Sequence, residues 1–221
     1  MIPLRDNVPT RTFPVVNYAL IIANALVFFI ELNLNSAGAL DRFMFAHGVV
    51  PALFNSDPGS HYITLISSQF LHGGFAHLLG NMVFLYIFGD NAEDVFGHIK
   101  YLIFYIGSGI AAALTQIYFH PNSGIPMVGA SGAIAGVLGA YFLFYPRARV
   151  LTLIPLGFFS RIIEVPAFLF LGIWFLMQTF SGTSALYIAR ASGRDVAGVA
   201  WWAHVGGFAF GFFMAILRKI L

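Results

Sequence analysis

The sequence contains no cysteine, which excludes disulfide cross-links, thiolate metal sites and cysteine nucleophiles. Charge is scarce as well. Asp, Glu, Lys and Arg make up 9% of the 221 residues, where a soluble domain carries roughly a quarter. Such a chain cannot cover itself with a solvated surface. The eleven Lys and Arg leave a formal net charge of +2 and form no basic run, which excludes a nucleic-acid groove. Other absences narrow the chemistry. The stretch HGGFAH (His72–His77) has no acid after its first histidine, so it is not a HExxH zinc site. Asp90 has no partner aspartate within an apolar run, and neither internal repeats nor midplane acids mark a transporter.

What is present is apolar length, with 59% of the residues hydrophobic. A membrane-crossing helix needs about 20 mostly apolar residues. Scanning for such runs predicts six spans: Val15–Leu32, Ala76–Gly89, Lys100–Tyr118, Ser131–Tyr145, Glu164–Phe180 and Ala197–Leu217. The expected fold is an all-α, six-helix membrane bundle forming one domain over residues 1–221. The run Phe13–Leu32 follows Arg5 and Arg11 but exceeds the apolar core of a signal peptide, so it reads as an uncleaved first helix. With both termini cytoplasmic, the inner segments hold Arg5, Arg11, Lys100, Arg147, Arg149, Arg161, Arg218 and Lys219. The outer segments hold Arg42, Arg190 and Arg194, a positive-inside bias of eight to three. No transit peptide precedes the first span, which favours a bacterial plasma membrane.

Two segments depart from plain spans. The connection Asn33–Phe75 carries FMFAHGVVPALF, too apolar for a solvated loop, and is expected to lie in the outer interface as short helices. The fourth run is short, since fifteen residues cover roughly 22 Å of a hydrocarbon core about 30 Å thick. Anchored by Pro146 and Arg147, it must begin within the membrane. The preceding FHPNSGIPMVG is then irregular backbone at membrane depth, tolerated where it is buried in protein or lines a water-filled cavity. Ser131 opens the helix at the floor of that cavity, between Gly129 and Gly132.

Depth follows from counting residues back to charged anchors at about 1.5 Å each. Ser131 lies roughly 24 Å above Arg147, His204 roughly 21 Å above Arg218, His77 roughly 20 Å above Asp90, and Asn81 about 14 Å. These four polar groups share a layer. His204, Gly207 and Gly211 form one stripe of the sixth helix. The spacings Gly207/Gly211 and Gly132/Gly136 let two membrane helices approach backbone to backbone. If those faces meet, the His204 imidazole nears the Ser131 hydroxyl. His77 and Asn81 are four residues apart and share a face of the second helix.

Nucleophilic acyl transfer fits this set. A neutral imidazole takes the proton of a serine hydroxyl, and the resulting oxyanion needs donors. The Ser131 N–H at a helix start, the His77 ring and the Asn81 amide are suitable. Glu31, Asp90 and Glu164 sit near span ends, so the unit is a Ser–His dyad. Each residue alone has a plainer reading: Ser131 as a packing or capping serine, His204 bonded to a carbonyl, His77 and Asn81 as interhelical glue. Their common depth favours chemistry.

At GASG (Gly129–Gly132), AHVGGFAFG (Ala203–Gly211) and FLHGGFAHLLGNM (Phe70–Met82) the chain resembles the rhomboid family of intramembrane serine proteases. The resemblance implies Ser131 as nucleophile, His204 as general base, and His77, Asn81 and the Ser131 backbone as the oxyanion site. His72 matches an additional histidine ahead of the second span. It also implies transmembrane protein substrates admitted from the bilayer between the second and fifth helices, without cofactor or metal. Phe168, Phe170 and Phe175 are the expected contacts of that fifth helix with the second. The oligomeric state is not implied.

Two features depart from the family pattern. ALDRFMFAHG (Ala39–Gly48) has no tryptophan–arginine pair, and Ala135 stands where some members stack an aromatic on the histidine. Trp201 or Trp202 is then a candidate to orient His204. The rival reading is a catalytically silent relative that binds membrane clients, against which stands the presence of both Ser131 and His204.

Overall fold

A computed structural model describes residues 1–156, 159–192 and 198–220. Its first long helix, α1 (Val15–Ser36), follows Pro14, which offers no capping side chain. The cap comes from far along the chain. The Glu93 carboxylate accepts the backbone N–H groups of Val16 at 3.0 Å and Asn17 at 2.7 Å. These are first-turn donors with no intrahelical acceptor, and a carboxylate also answers the positive end of the helix dipole. At the other end Gly38 takes a φ of 69°, the left-handed conformation that closes helices at low cost.

The connection to the next long helix is a chain of short ones: α2 (Leu40–His47), α3 (Pro51–Ser56), α4 (Pro58–His61), α5 (Thr64–Ser67) and a 3₁₀ turn at Ser68–Phe70. Then follow α6 (Phe75–Phe96) and α7 (His98–Phe119), joined through Gly97 alone, and α8 (Ser131–Phe144), α9 (Ala167–Ser192) and α10 (Trp201–Ile220). Among the described residues four helices, α1, α7, α9 and α10, are each long and apolar enough to cross a membrane. The segments Pro58–Phe70 and Phe75–Phe96 pass that test as a pair, bent by 80°, while α8 is shorter. Ile22, Leu26 and Phe29 of α1 and Leu176 and Phe180 of α9 point outward, exposed. On helices of this length such faces belong to lipid, so the chain is an integral membrane protein.

The short helix α8 is the axis of the fold, with every residue from Gly132 to Tyr141 buried. Glycines let its neighbours close in. A Cβ on Gly211 of α10 would lie 1.8 Å from the Gly136 carbonyl oxygen, and one on Gly207 would lie 2.1 Å from that of Gly132. No side chain fits there, so α8 and α10 touch backbone to backbone. That contact fixes how the starts of the two helices face each other.

One element falls outside the expected all-α fold. Strands β1 (Ile2–Asp6), β2 (Arg149–Leu156) and β3 (Phe159–Pro166) form an antiparallel sheet in the order β1-β2-β3. Asp6 pairs with Val150, and Val150 with Val165. The sheet lies at the end where α8 finishes and α9 begins. The Tyr141 hydroxyl donates to Asp6, and the Lys219 ammonium donates to the Leu143 carbonyl at 2.9 Å.

Helix limits differ from the apolar runs for identifiable reasons. The fifth helix begins at Ala167 rather than Glu164, because Glu164 pairs with Leu151 in the ladder and the chain stays extended up to Pro166. It then continues past Phe180 to Ser192, with no proline or glycine cluster to stop it. The second helix continues past Gly89 to Phe96, its acids engaged by the N-terminal segment. Ala197 and Arg194 lie outside the described residues. Of the three phenylalanines expected to face α6, Phe170 does so, with ring centroids 6.4 Å from Phe84 and 6.3 Å from Phe88. Phe168 is exposed, and Phe175 packs on Phe208 of α10.

Candidate active site

Ser131 is the first residue of α8. The irregular stretch before it is held by backbone pairing: Val49 and Met127 exchange both hydrogen bonds, at 3.0 and 2.7 Å. Gly129 donates to the Ser68 carbonyl at 2.9 Å, and Asn55 caps the Pro121 carbonyl at 2.8 Å. These bonds supply partners that backbone at membrane depth requires. Gly129 itself has a φ of 129°, and a Cβ there would sit 2.8 Å from the His77 ring. Neither the backbone conformation nor the space admits a side chain. Gly132 is likewise pressed against Ala112 of α7.

His204 comes from the first turn of α10, and its Nε2 lies 2.8 Å from Ser131 Oγ. On the other side of the ring, Nδ1 lies 2.7 Å from Gln178 Oε1 of α9. An amide oxygen only accepts, so the proton of the neutral ring sits on Nδ1. Nε2 is then left with its lone pair, and the serine hydroxyl donates to it. His77 has the opposite arrangement. Its Nδ1 accepts the Gly73 backbone N–H at 3.3 Å, so its own proton is on Nε2, at the end of the ring that borders Gly129. One histidine therefore faces the serine as an acceptor and the other faces its surroundings as a donor.

Asn81, buried one turn beyond His77 on α6, lies with Nδ2 3.0 Å from His72 Nε2. His72 is buried behind it, and the His72 backbone N–H donates to Glu31 at 3.0 Å. One amide hydrogen of Asn81 is thereby committed to His72, leaving the second for the cavity. That cavity has a volume of 620 Å³ and is lined by Ser131, His204, His77, Asn81, Gln178 and Trp174 among others. His72 is not on its wall. Among the described residues no group of three or more His, Cys, Asp or Glu stands close enough to hold a metal ion.

Of the two tryptophans expected near His204, one is beside it. Trp201 meets the ring edge-on at 6.3 Å, while Trp202 turns away and stacks on Phe119 at 3.7 Å. Trp174 of α9 lies 5.8 Å from the imidazole. Ala135 is buried at the α8–α10 contact, where no room remains for an aromatic. Gln178 is the residue that the sequence reading misses. Its signal was a lone amide within the apolar FLMQTF (Phe175–Phe180).

Comparison with known proteins places matches across the chain. The family model described as Rhomboid domain matches residues 59–219. RHOMBOID-like protein 4 of Arabidopsis thaliana is 31% identical over 86% of this chain and 40% of its own length. Rhomboid protease GluP of Bacillus subtilis (strain 168) is 27% identical over 91% of this chain and 34% of its own. Putative rhomboid protease YdcA of the same organism is 30% identical over 59% and 62%, respectively. The chain thus spans less than two thirds of the length of each of these relatives.

Proposed function

Because this chain belongs to the rhomboid family, we propose that it is an intramembrane serine endopeptidase that cleaves transmembrane segments of membrane proteins. The observation that carries this reading is the 2.8 Å contact between Ser131 Oγ and His204 Nε2 on the wall of a 620 Å³ cavity. A serine that merely caps or packs needs neither the imidazole nor the space. The six helices α1, α6, α7, α8, α9 and α10 make the six-span bundle of this reading. The positive-inside bias sets the sheet end and both termini in the cytoplasm.

The chemistry follows from the two tautomers. As Ser131 Oγ attacks the scissile carbonyl carbon, its proton passes to His204 Nε2 and the carbonyl oxygen becomes an oxyanion. His77 Nε2–H, the second Asn81 amide hydrogen and the Ser131 backbone N–H are donors suited to that oxygen. Collapse of the tetrahedral intermediate breaks the C–N bond, and His204 hands its proton to the leaving amine. Water then attacks the acyl-serine, losing a proton to the same Nε2. The second tetrahedral intermediate collapses, Oγ regains the proton, and a carboxylic acid leaves. No step needs a cofactor.

The test is covalent labelling of the full chain in detergent or liposomes with a fluorophosphonate. The expected result is an adduct on Ser131, absent from Ser131→Ala, together with cleavage of a model transmembrane substrate that the same substitution abolishes. A folded wild-type chain that binds membrane clients but neither labels nor cleaves would replace this reading with that of a silent relative.

A further inference from the structure

An imidazole acts as base toward Ser131 only if Nε2 is unprotonated, and the choice between its two neutral tautomers is set by the partner of Nδ1. Around His204 that partner is Gln178, at 2.7 Å and itself buried. Among the described residues, the other side chains against the ring offer no acceptor for Nδ1–H. Trp174 and Trp201 present ring faces and edges, and the indole is a donor only. Ala135, at the position one turn after the nucleophile, has no polar atom.

We infer that Gln178 is the positioning residue of this site, holding the His204 proton on Nδ1 so that Nε2 is free to receive the proton of Ser131. This inference rests on the protease reading above. It differs from a serine–histidine–aspartate triad in one physical respect. The amide oxygen orients the ring but carries no charge to balance the imidazolium that forms during attack. Gln178 belongs to α9, Ser131 to α8 and His204 to α10. The base is therefore set up by a third helix, and an α9 displaced from α10 would leave the His204 tautomer without that bias.

The test uses the full chain and two variants. Gln178→Met keeps the length and apolar volume but removes the acceptor, whereas Gln178→Glu keeps an acceptor oxygen. Relative to wild type, Gln178→Met should lower kcat and the rate of fluorophosphonate labelling by about tenfold, the scale of one neutral hydrogen bond, with KM within about twofold. Gln178→Glu should recover to within about threefold of wild type. Nitrogen NMR of histidine-labelled protein, with the His204 signals assigned by their loss in His204→Ala, should find hydrogen on Nδ1 in wild type. In Gln178→Met it should find a substantial population with hydrogen on Nε2.

A packing role alone predicts lower thermal stability with kcat per folded molecule and the tautomer unchanged, and that result would overturn the inference. So would equal losses in both variants without a tautomer change. In either case labelling of wild type and not of Ser131→Ala would leave the protease reading standing. Absence of labelling in wild type would remove the protease reading instead, and the tautomer measurement would still decide whether Gln178 sets the proton.

Discussion

Two polar clusters are buried in this apolar bundle, and they use the same kinds of residue to opposite ends. Near the sheet, Asn17 donates to the Leu85 carbonyl at 3.0 Å and accepts the Tyr101 hydroxyl at 2.9 Å. Glu93 accepts two backbone N–H groups of α1 and also meets His98. The helices close around these groups so tightly that a Cβ on Gly89 would lie 2.1 Å from Asn17 Oδ1. At the opposite end Ser131 and Gln178 both bond His204, His77 accepts from Gly73 and Asn81 meets His72, yet Ser131, His204, His77, Asn81 and Gln178 border a cavity of 620 Å³. Polar residues inside a membrane protein are therefore not by themselves evidence of chemistry. The difference is commitment. In the first cluster the groups close on one another, whereas in the second the Ser131 oxygen, a ring N–H and an amide hydrogen are left for the cavity.

The largest effect should come from removing the proposed base. His204→Ala is expected to reduce cleavage and fluorophosphonate labelling by about 10⁴-fold or more, because the Ser131 hydroxyl then keeps its proton. Thermal stability should change little, since the lost side chain borders the cavity. A variant that labels at the wild-type rate would break the comparison at its cavity end.

The converse is expected at the sheet end. Glu93→Ala strands the Val16 and Asn17 N–H groups in a buried place, which should cost about 3 kcal/mol of stability. Labelling per folded molecule should stay near wild type, as measured after separating folded from aggregated protein. A selective loss of kcat would join the two clusters functionally. Asn81→Ala should fall between these cases. An oxyanion donor is worth about 10²–10³ in rate, but one Asn81 hydrogen is already held by His72 and other donors remain, so about ten- to a hundredfold is expected. A wild-type kcat would exclude Asn81 from the oxyanion site.

The sequence carries the cavity end more legibly than the sheet end, for a physical reason. Counting from charged anchors along a regular helix ranks Ser131, His204 and His77 by depth, and the small-residue spacings say which faces of α8 and α10 meet. Both are local properties. Gln178 escapes this logic because its helix starts at Ala167 and not at the apparent anchor Glu164, and rotation of α9 about its axis follows from packing alone. The sheet escapes because β1 pairs with a strand about 150 residues away, while RVLTLIPL (Arg149–Leu156) reads as an apolar margin between spans. The Glu31–His72 bond, 41 residues apart, likewise depends on how the short helices fold back.

The smallest predicted effect tests whether the sheet end governs stability without touching the chemistry. Asp6, on β1 and outside the apolar helices, accepts the Tyr141 hydroxyl. Burial, opposed by that hydrogen bond and reinforced by the charge of Asp90, pushes its pKa up from 3.8 to about 6. The folded chain thus holds this proton more tightly than the unfolded one. The corresponding stability is complete below pH 3.8 and is lost as pH rises through about 6. Asp6 is only partly buried, so solvent screening limits the change to about 1 kcal/mol. Unfolding measured from about pH 4 to about pH 7 should show that decline in wild type and not in Asp6→Asn, whose side chain does not titrate. A decline of equal size in the variant would assign it to other groups. The labelling rate of Ser131 should be the same in both chains at every pH where both are folded, because none of the described residues of the sheet lines the cavity.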